Sequence, residues 1–153
     1  MKKMTGEEFY ELIRKDPSWC LNIKEPLEIT TYVELIYTNI THLSPLLTFK
    51  GKNNGNLQWV ADFRQCKFLK VATGIYDGFV NFSGAGITTI KDLIIKKSDA
   101  TGEKARFINC PITYIPIEYR KEGFLFNDEI IKNSILRDKT ISKIKSEANN
   151  IEI

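Results

Sequence analysis

One histidine, three cysteines and one Gly-Ala-Gly run are the residues of this 153-residue chain whose types invite catalysis. His42 is the single histidine, so a histidine metal site or a Ser-His-Asp relay has one candidate at most. It falls between Ile40 and Leu43, beside an apolar run. Cys66 and Cys110 occupy equivalent places in a recurring apolar pattern, which predicts inert core thiols, not nucleophiles. Cys20 has no histidine beside it in sequence, and Gly84-Ala85-Gly86 lacks the further spacing and the lysine of a phosphate loop. The sequence therefore predicts no catalytic residue, no metal ligand set and no cofactor. An enzyme would need a pocket at a loop edge, around His42, Tyr76 and Asp77.

Other residues are better suited to recognition. Alternation along four short segments puts Glu34, Asp62, Asn81 and Arg106 in one outward row. Ile36, Arg64, Ser83 and Ile108 form the next, and Tyr37, Gln65, Gly84 and Asn109 a third. The rows mix charge, amide and apolar groups, which suits a protein partner anchored by Tyr and Arg. Ile36 and Ile108 add apolar area near one another. Glu34 and Asp62 interrupt the basic stripe that nucleic acid requires. The candidate partner-binding residues are Glu34, Ile36, Tyr37, Asp62, Arg64, Gln65, Asn81, Arg106 and Ile108. The competing reading is an ordinary solvated sheet face.

A repeated pattern positions these rows. It runs φ-x-φ-x-x-(Cys/Thr/Ala)-x-φ-x-x-φ, where φ is apolar. The copies are Val33, Leu35, Thr38, Ile40, Leu43; then Ala61, Phe63, Cys66, Phe68, Val71; then Val80, Phe82, Ala85, Ile87, Ile90; then Ala105, Phe107, Cys110, Ile112, Ile115. A fifth begins at Phe124 and Phe126, reaches Ile131, and decays at Glu129 and Ser134. In a chain that is 42% apolar, four such positions match by chance in about one window in thirty, so four clean copies are not accidental. The copies start 28, 19, 25 and 19 residues apart. A period in the twenties with φ-x-φ strands predicts a solenoid, because one turn cannot bury its apolar side without neighbours.

The stretch Ala105 to Pro116 resembles the core segment of leucine-rich repeats, Leu-x-x-Leu-x-Leu-x-x-Asn/Cys-x-Leu followed by x-x-Leu-Pro, from the second apolar position onward. The resemblance covers residues 30 to 135, but Thr30, Gln58, Asp77 and Gly102 replace the family's first leucine. It implies parallel strands whose outward face binds another protein. It also implies that Thr38, Cys66 and Cys110 turn inward to satisfy backbone groups of adjacent turns, a role Ala85 cannot fill. A β-helix of another type is the structural alternative.

The remaining chain supplies ends and loops. One domain is expected at this length, of α+β class and mainly β. Residues 1–18 form a helical cap, 19–135 the repeat solenoid and 136–153 a C-terminal helix or tail. Thr5-Gly6-Glu7-Glu8 is a capping box, Phe9, Leu12 and Ile13 share a helical face, and Asp16-Pro17 stops the helix. Residues 19–29 read as extended, 50–56 and 96–104 as polar loops, and 73–78 as a turn-rich link exposing Tyr76. A polar helix from about Asp138 to Asn149 carries Ile141 and Ile144 in a thin stripe. Its basic residues Arg137, Lys139, Lys143 and Lys145 read as a solvated helix face, with an acidic partner as the alternative.

A net charge of +3 is too mild to imply nucleic acid. The start, Met1 to Glu8, lacks an apolar signal segment, and no run is long enough to span a membrane. With three cysteines, an odd number, the sequence predicts reduced thiols and a cytoplasmic protein, or one delivered into a host cell. Its richness in Ile, Lys and Asn fits a bacterial or phage source. The sequence thus predicts a protein-binding module, an inhibitor or effector that masks or recruits a partner. The alternative is a structural protein that forms homo-oligomers through the solenoid ends.

Overall fold

The computed structural model describes residues 2–51 and 58–150, with Asn150 described by its backbone alone. In chain order the elements are β1 (Lys2–Met4), α1 (Gly6–Lys15), β2 (Leu27–Ile29), β3 (Val33–Glu34), β4 (Leu47–Phe49), β5 (Trp59–Asp62), β6 (Val71–Tyr76), β7 (Phe79–Asn81), β8 (Thr89–Ile95), β9 (Ala105–Arg106), β10 (Phe124–Leu125) and α2 (Asp128–Asn150). The class is α+β. The strands form two five-stranded sheets, β1-β2-β4-β6-β8 and β10-β9-β7-β5-β3. Every pairing is parallel. From β2 to β9 the chain visits the two sheets in turn, so each of these strands pairs with one from the other side of an intervening strand.

The inward residues of the second sheet explain why so short a set of strands holds together. Phe63, Phe82, Phe107 and Phe126 each stand two residues after the strand residues Ala61, Val80, Ala105 and Phe124. Their rings stack at centroid spacings of 5.3, 5.1 and 5.0 Å with interplanar angles of 14° or less. Tyr76 from the first sheet meets Phe82 edge-on at 6.1 Å and stacks on Phe49 at 4.8 Å. Full burial of each such ring stabilises by about 1.5–3 kcal/mol, and each well-placed ring pair adds about 0.5–1.5 kcal/mol.

The turn that follows each second-sheet strand is equally regular. Tyr37, Gln65 and Asn109 adopt φ of 61°, 62° and 61°, and Gly84 takes the same place at 73°. Glycine is at ease there and asparagine tolerates it, so Tyr37 and Gln65 are the two held there by their surroundings. The next residue turns inward. The Cys66 thiol donates to the Leu35 carbonyl at 2.9 Å, and the Cys110 thiol donates to the Phe82 carbonyl at 3.1 Å. Thr38 Oγ1 lies 3.6 Å from the Cys66 sulfur. These contacts reach from one strand-and-turn unit to the one before it, as buried carbonyls require.

One helix packs beside β3, and the other follows β10 and is tied to the segment that precedes it. Thr5 Oγ1 accepts from the Glu8 amide and Glu8 Oε1 accepts from the Thr5 amide, both at 3.1 Å, which completes the capping box of α1. Phe9 and Ile13 are buried, and α1 lies beside β3. Gly6 permits this approach: a Cβ there would strike the Tyr32 carbonyl. At the other end, buried Ser134 of α2 accepts from the Ile115 amide and donates to the Ile130 carbonyl. Arg120 pairs with Asp138 at 2.7 Å, and the Tyr114 hydroxyl donates to Asp138 at 2.9 Å. Arg137 and Arg120 flank the Tyr114 ring at 4.5 and 5.3 Å.

Several expectations require correction. Phe68 is 57% exposed, and Leu69 and Ala72 take the inward places expected for Phe68 and Val71, because one extra residue follows Cys66. Tyr76 is fully buried in β6, its hydroxyl donating to the Thr73 carbonyl at 2.8 Å, so residues 73–76 are strand and not an exposed link. Trp19–Asn22 forms a 3-10 turn, not an extended segment, and Lys2–Met4 adds an edge strand that was not expected. α2 begins at Asp128, about ten residues before the expected helix, and takes over the decayed fifth repeat. Glu129 decides this: on a helix it stays exposed, whereas the inward repeat position would have buried its charge. The loop expected over residues 50–56 lies outside the described residues from 52 onward, as do residues 151–153.

Candidate interaction surface

The outward face of the second sheet gathers the expected rows. The strand register aligns Glu34 with Asp62, Asp62 with Asn81, and Asn81 with Arg106. Beyond the strands the alignment continues through backbone bonds, Tyr37 N–H to the Arg64 carbonyl, Gln65 N–H to the Ser83 carbonyl and Gly84 N–H to the Ile108 carbonyl.

Accessibility differs from the expectation along the first row. Asp62 and Asn81 are buried and offer no surface to a partner. Each is consumed by the turn that follows it. Asp62 Oδ1 accepts from the Arg64 amide at 3.1 Å, and Asn81 Oδ1 accepts from the Ser83 amide at 2.9 Å. Short polar side chains favour this bond to the backbone two residues on. Glu34 and Tyr37 are exposed, Tyr37 at 76%. Ile36, Arg64, Gln65, Arg106 and Ile108 are half-buried.

The two arginines are fixed in place. Arg64 donates to both Asp62 oxygens, through Nε at 3.1 Å and Nη2 at 2.8 Å. Arg106 Nη2 donates to Glu103 at 2.9 and 3.0 Å. The Arg64 guanidinium stands 5.3 Å from the Trp59 ring centre, and that of Arg106 stands 5.7 Å from the Phe79 ring centre. Trp59 and Phe79 lie side by side at 4.8 Å. Arg64, Trp59, Phe79 and Arg106 therefore form one continuous layer on the outer side of the sheet, in which half-buried Trp59 and fully buried Phe79 lie beneath the two guanidiniums. Its ion pairs remove much of the side-chain freedom that an arginine would otherwise lose on meeting a partner.

Tyr32, Trp59 and Glu103 belong to this surface, with fully buried Phe79 beneath Arg106, and none of the four was singled out from sequence. Phe79 had a signal, since it precedes Asn81 by two and so shares its side of the strand. Trp59 had none, because simple alternation from Ala61 turns Val60 outward. A register irregularity between Trp59 and Ala61 brings Trp59 opposite Phe79 and leaves Val60 in the core. The Tyr32 hydroxyl is pushed well above its ordinary pKa, first by burial and then by the nearby Asp62 and Glu34 carboxylates. The Arg64 pKa is raised, first by its bond to Asp62.

The features first weighed for catalysis do not converge. His42 is exposed, its Nδ1 lying 2.8 Å from Thr41 Oγ1, while Tyr76 is in the core. All three cysteines are buried and free. Among the described residues no cluster of three or more His, Cys, Asp or Glu side chains could hold a metal ion, and no helix is long and apolar enough to cross a membrane. In comparison with known proteins, the chain matches no family model, no curated protein and no solved structure.

Proposed function

We propose that the chain is a short leucine-rich-repeat-like solenoid that binds another protein through the outward face of its second sheet. It acts as an inhibitor or effector, masking or recruiting that partner. The observation that carries this reading is the Arg64-Trp59-Phe79-Arg106 layer, held by Asp62 and Glu103, with exposed Tyr37 at the edge of the same face. Trp, Tyr and Arg dominate the residues on which protein interfaces depend, and a face already ordered loses less freedom on binding.

The test is affinity capture from cell lysate, read by mass spectrometry, with a folded Ile36→Ser, Tyr37→Asn, Ile108→Ser variant as the comparison. These three side chains are at least partly accessible, and Asn tolerates the left-handed backbone at position 37. Arg64 is left intact because its loss would strand buried Asp62 without its cation. A partner retained by the original chain and lost by the variant is the expected result. A partner retained equally by both, or none retained by either, would sink the strand-face reading.

A further inference from the structure

The second half of α2 makes no polar contact with the described residues outside that helix. Residues 139–149 are all exposed, and they make no hydrogen bond or ion pair to another described element. Ser134 and Asp138 point the first half toward the body. The opposite side of the helix carries Leu136, Lys139, Thr140, Lys143 and Ile144, spaced i, i+3, i+4, i+7 and i+8, which is one continuous face. Leu136 and Ile144 are 62% and 59% exposed. An isolated stretch of this length is a marginal helix in water, and packing of an apolar stripe is what ordinarily sustains one.

A complementary surface stands at the other end of the molecule. A groove of about 410 Å³ runs along α1, lined by Met4, Glu7, Glu8, Glu11, Leu12 and Lys15. Met4 and Leu12 are its half-buried apolar members. Its three carboxylates and one ammonium give it a net charge of −2. Residues 139–149 carry three lysines and one glutamate, a net +2. Glu7 and Glu11 are one helical turn apart, and so are Lys139 and Lys143. Glu11 is engaged only by Arg14 in an exposed pair at 3.0 Å, which costs little to exchange.

We infer that the outer face of α2 in one copy docks in the α1 groove of a second copy, Leu136 and Ile144 meeting Met4 and Leu12 between two rows of opposite charge. The helices lie at opposite edges of the second sheet, α1 beside β3 and α2 following β10. The contact is therefore head-to-tail, which gives a ring if the rotation closes and an open chain if it does not. This inference stands independently of the strand-face reading, since it does not use the outward face of the second sheet.

Analytical ultracentrifugation of the full chain over a concentration series tests it. The original chain is expected to rise in average mass with concentration, less so at high salt because the charge rows are exposed. Glu7→Lys with Glu11→Lys, and separately Lys139→Glu with Lys143→Glu, should each hold the chain monomeric with unchanged circular dichroism. An equimolar mixture of the two should associate again, since the basic α2 of the first meets the acidic α1 of the second. Leu136→Ser with Ile144→Ser, which alters no charge, should also weaken association. A chain that stays monomeric throughout, single variants that associate like the original, a mixture that stays apart, or a serine variant of full strength would each overturn the inference.

Discussion

Replacing Phe82 by alanine tests the inner aromatic stack at its midpoint. Phe82 is fully buried, stacked on Phe63 at 5.3 Å and on Phe107 at 5.1 Å, and met edge-on by Tyr76 at 6.1 Å. Phe126, at the end of the stack, has one ring neighbour, Phe107, and is slightly accessible. Truncating a buried Phe to Ala costs about 3–5 kcal/mol, the spread depending on how well the site collapses. Each ring contact contributes about 0.5–1.5 kcal/mol within that cost. Phe82→Ala loses three ring contacts from a site walled on both sides, so it belongs near 5 kcal/mol. Phe126→Ala loses one at an edge, so it belongs near 3 kcal/mol. The difference of about 2 kcal/mol should appear in urea unfolding as a lower midpoint at unchanged slope. In a thermal scan Phe82→Ala should lose roughly 10–20 °C, at about 2–4 °C per kcal/mol for a chain of this size. A Phe126→Ala cost equal to or greater than that of Phe82→Ala, or a Phe82→Ala cost under about 2 kcal/mol, would refute the idea that the stack is the continuous spine of the fold.

Two further outcomes are expected. Burial pushes the Cys20 thiol up to about 12 and the Cys110 thiol up to about 11, and raises Cys66 as well, so Ellman reagent at pH 8 should label none in the native protein and all three in denaturant; fast native labelling of any would contradict the packing. The bonds from Arg120 and then Tyr114 hold the Asp138 carboxyl below its ordinary pKa, so its contribution to anchoring α2 is complete above the usual Asp range and disappears as pH falls through and below it. Thermal unfolding of the original chain and of Asp138→Asn should accordingly differ at pH 7 and converge toward pH 2, and an equal gap at both pH values would rule out this anchor.

The parts of the fold that were legible in the sequence are those where one physical cause acts alone. Phe63, Phe82 and Phe107 stand two residues after a small or branched inward residue, and that alternation settles both their side of the strand and their register. Thr38, Cys66, Ala85 and Cys110 were legible because each is a small residue at a fixed offset. The misplacement of Phe68 came from two adjacent apolar residues, Phe68 and Leu69: both fit the pattern, and only packing chooses between them. Tyr76 was hidden because Thr73, Gly74, Asp77 and Gly78 have turn chemistry, while tertiary pairing with β4 and β8 overrides it. On the candidate surface, alternation gave the rows but not their exposure. It could not tell that Asp62 and Asn81 would spend their oxygens on the backbone, or that a bulge would bring Trp59 out beside Phe79.

The all-parallel pairing bears on how this chain is made. Paired strand residues are between 18 and 28 positions apart throughout, and no strand of the N-terminal third pairs with one near the C-terminus. Each loop that must close is short, so its entropic cost is similar and modest at every step. Such a chain need not wait for its last residues. As it leaves the ribosome, each new strand finds its partner already formed, and assembly proceeds as a zipper from the α1 end. From β5 onward the growing edge of the second sheet is a row of unpaired backbone groups above an exposed phenylalanine, which the next segment covers within seconds of synthesis. α2, arriving last, adds Ile130 and Ile131 against the core and ties down the segment from Tyr114 to Arg120. A ribosome paused between Phe107 and Phe126 would therefore present the nascent protein at its most adhesive, and a pause after α2 would not.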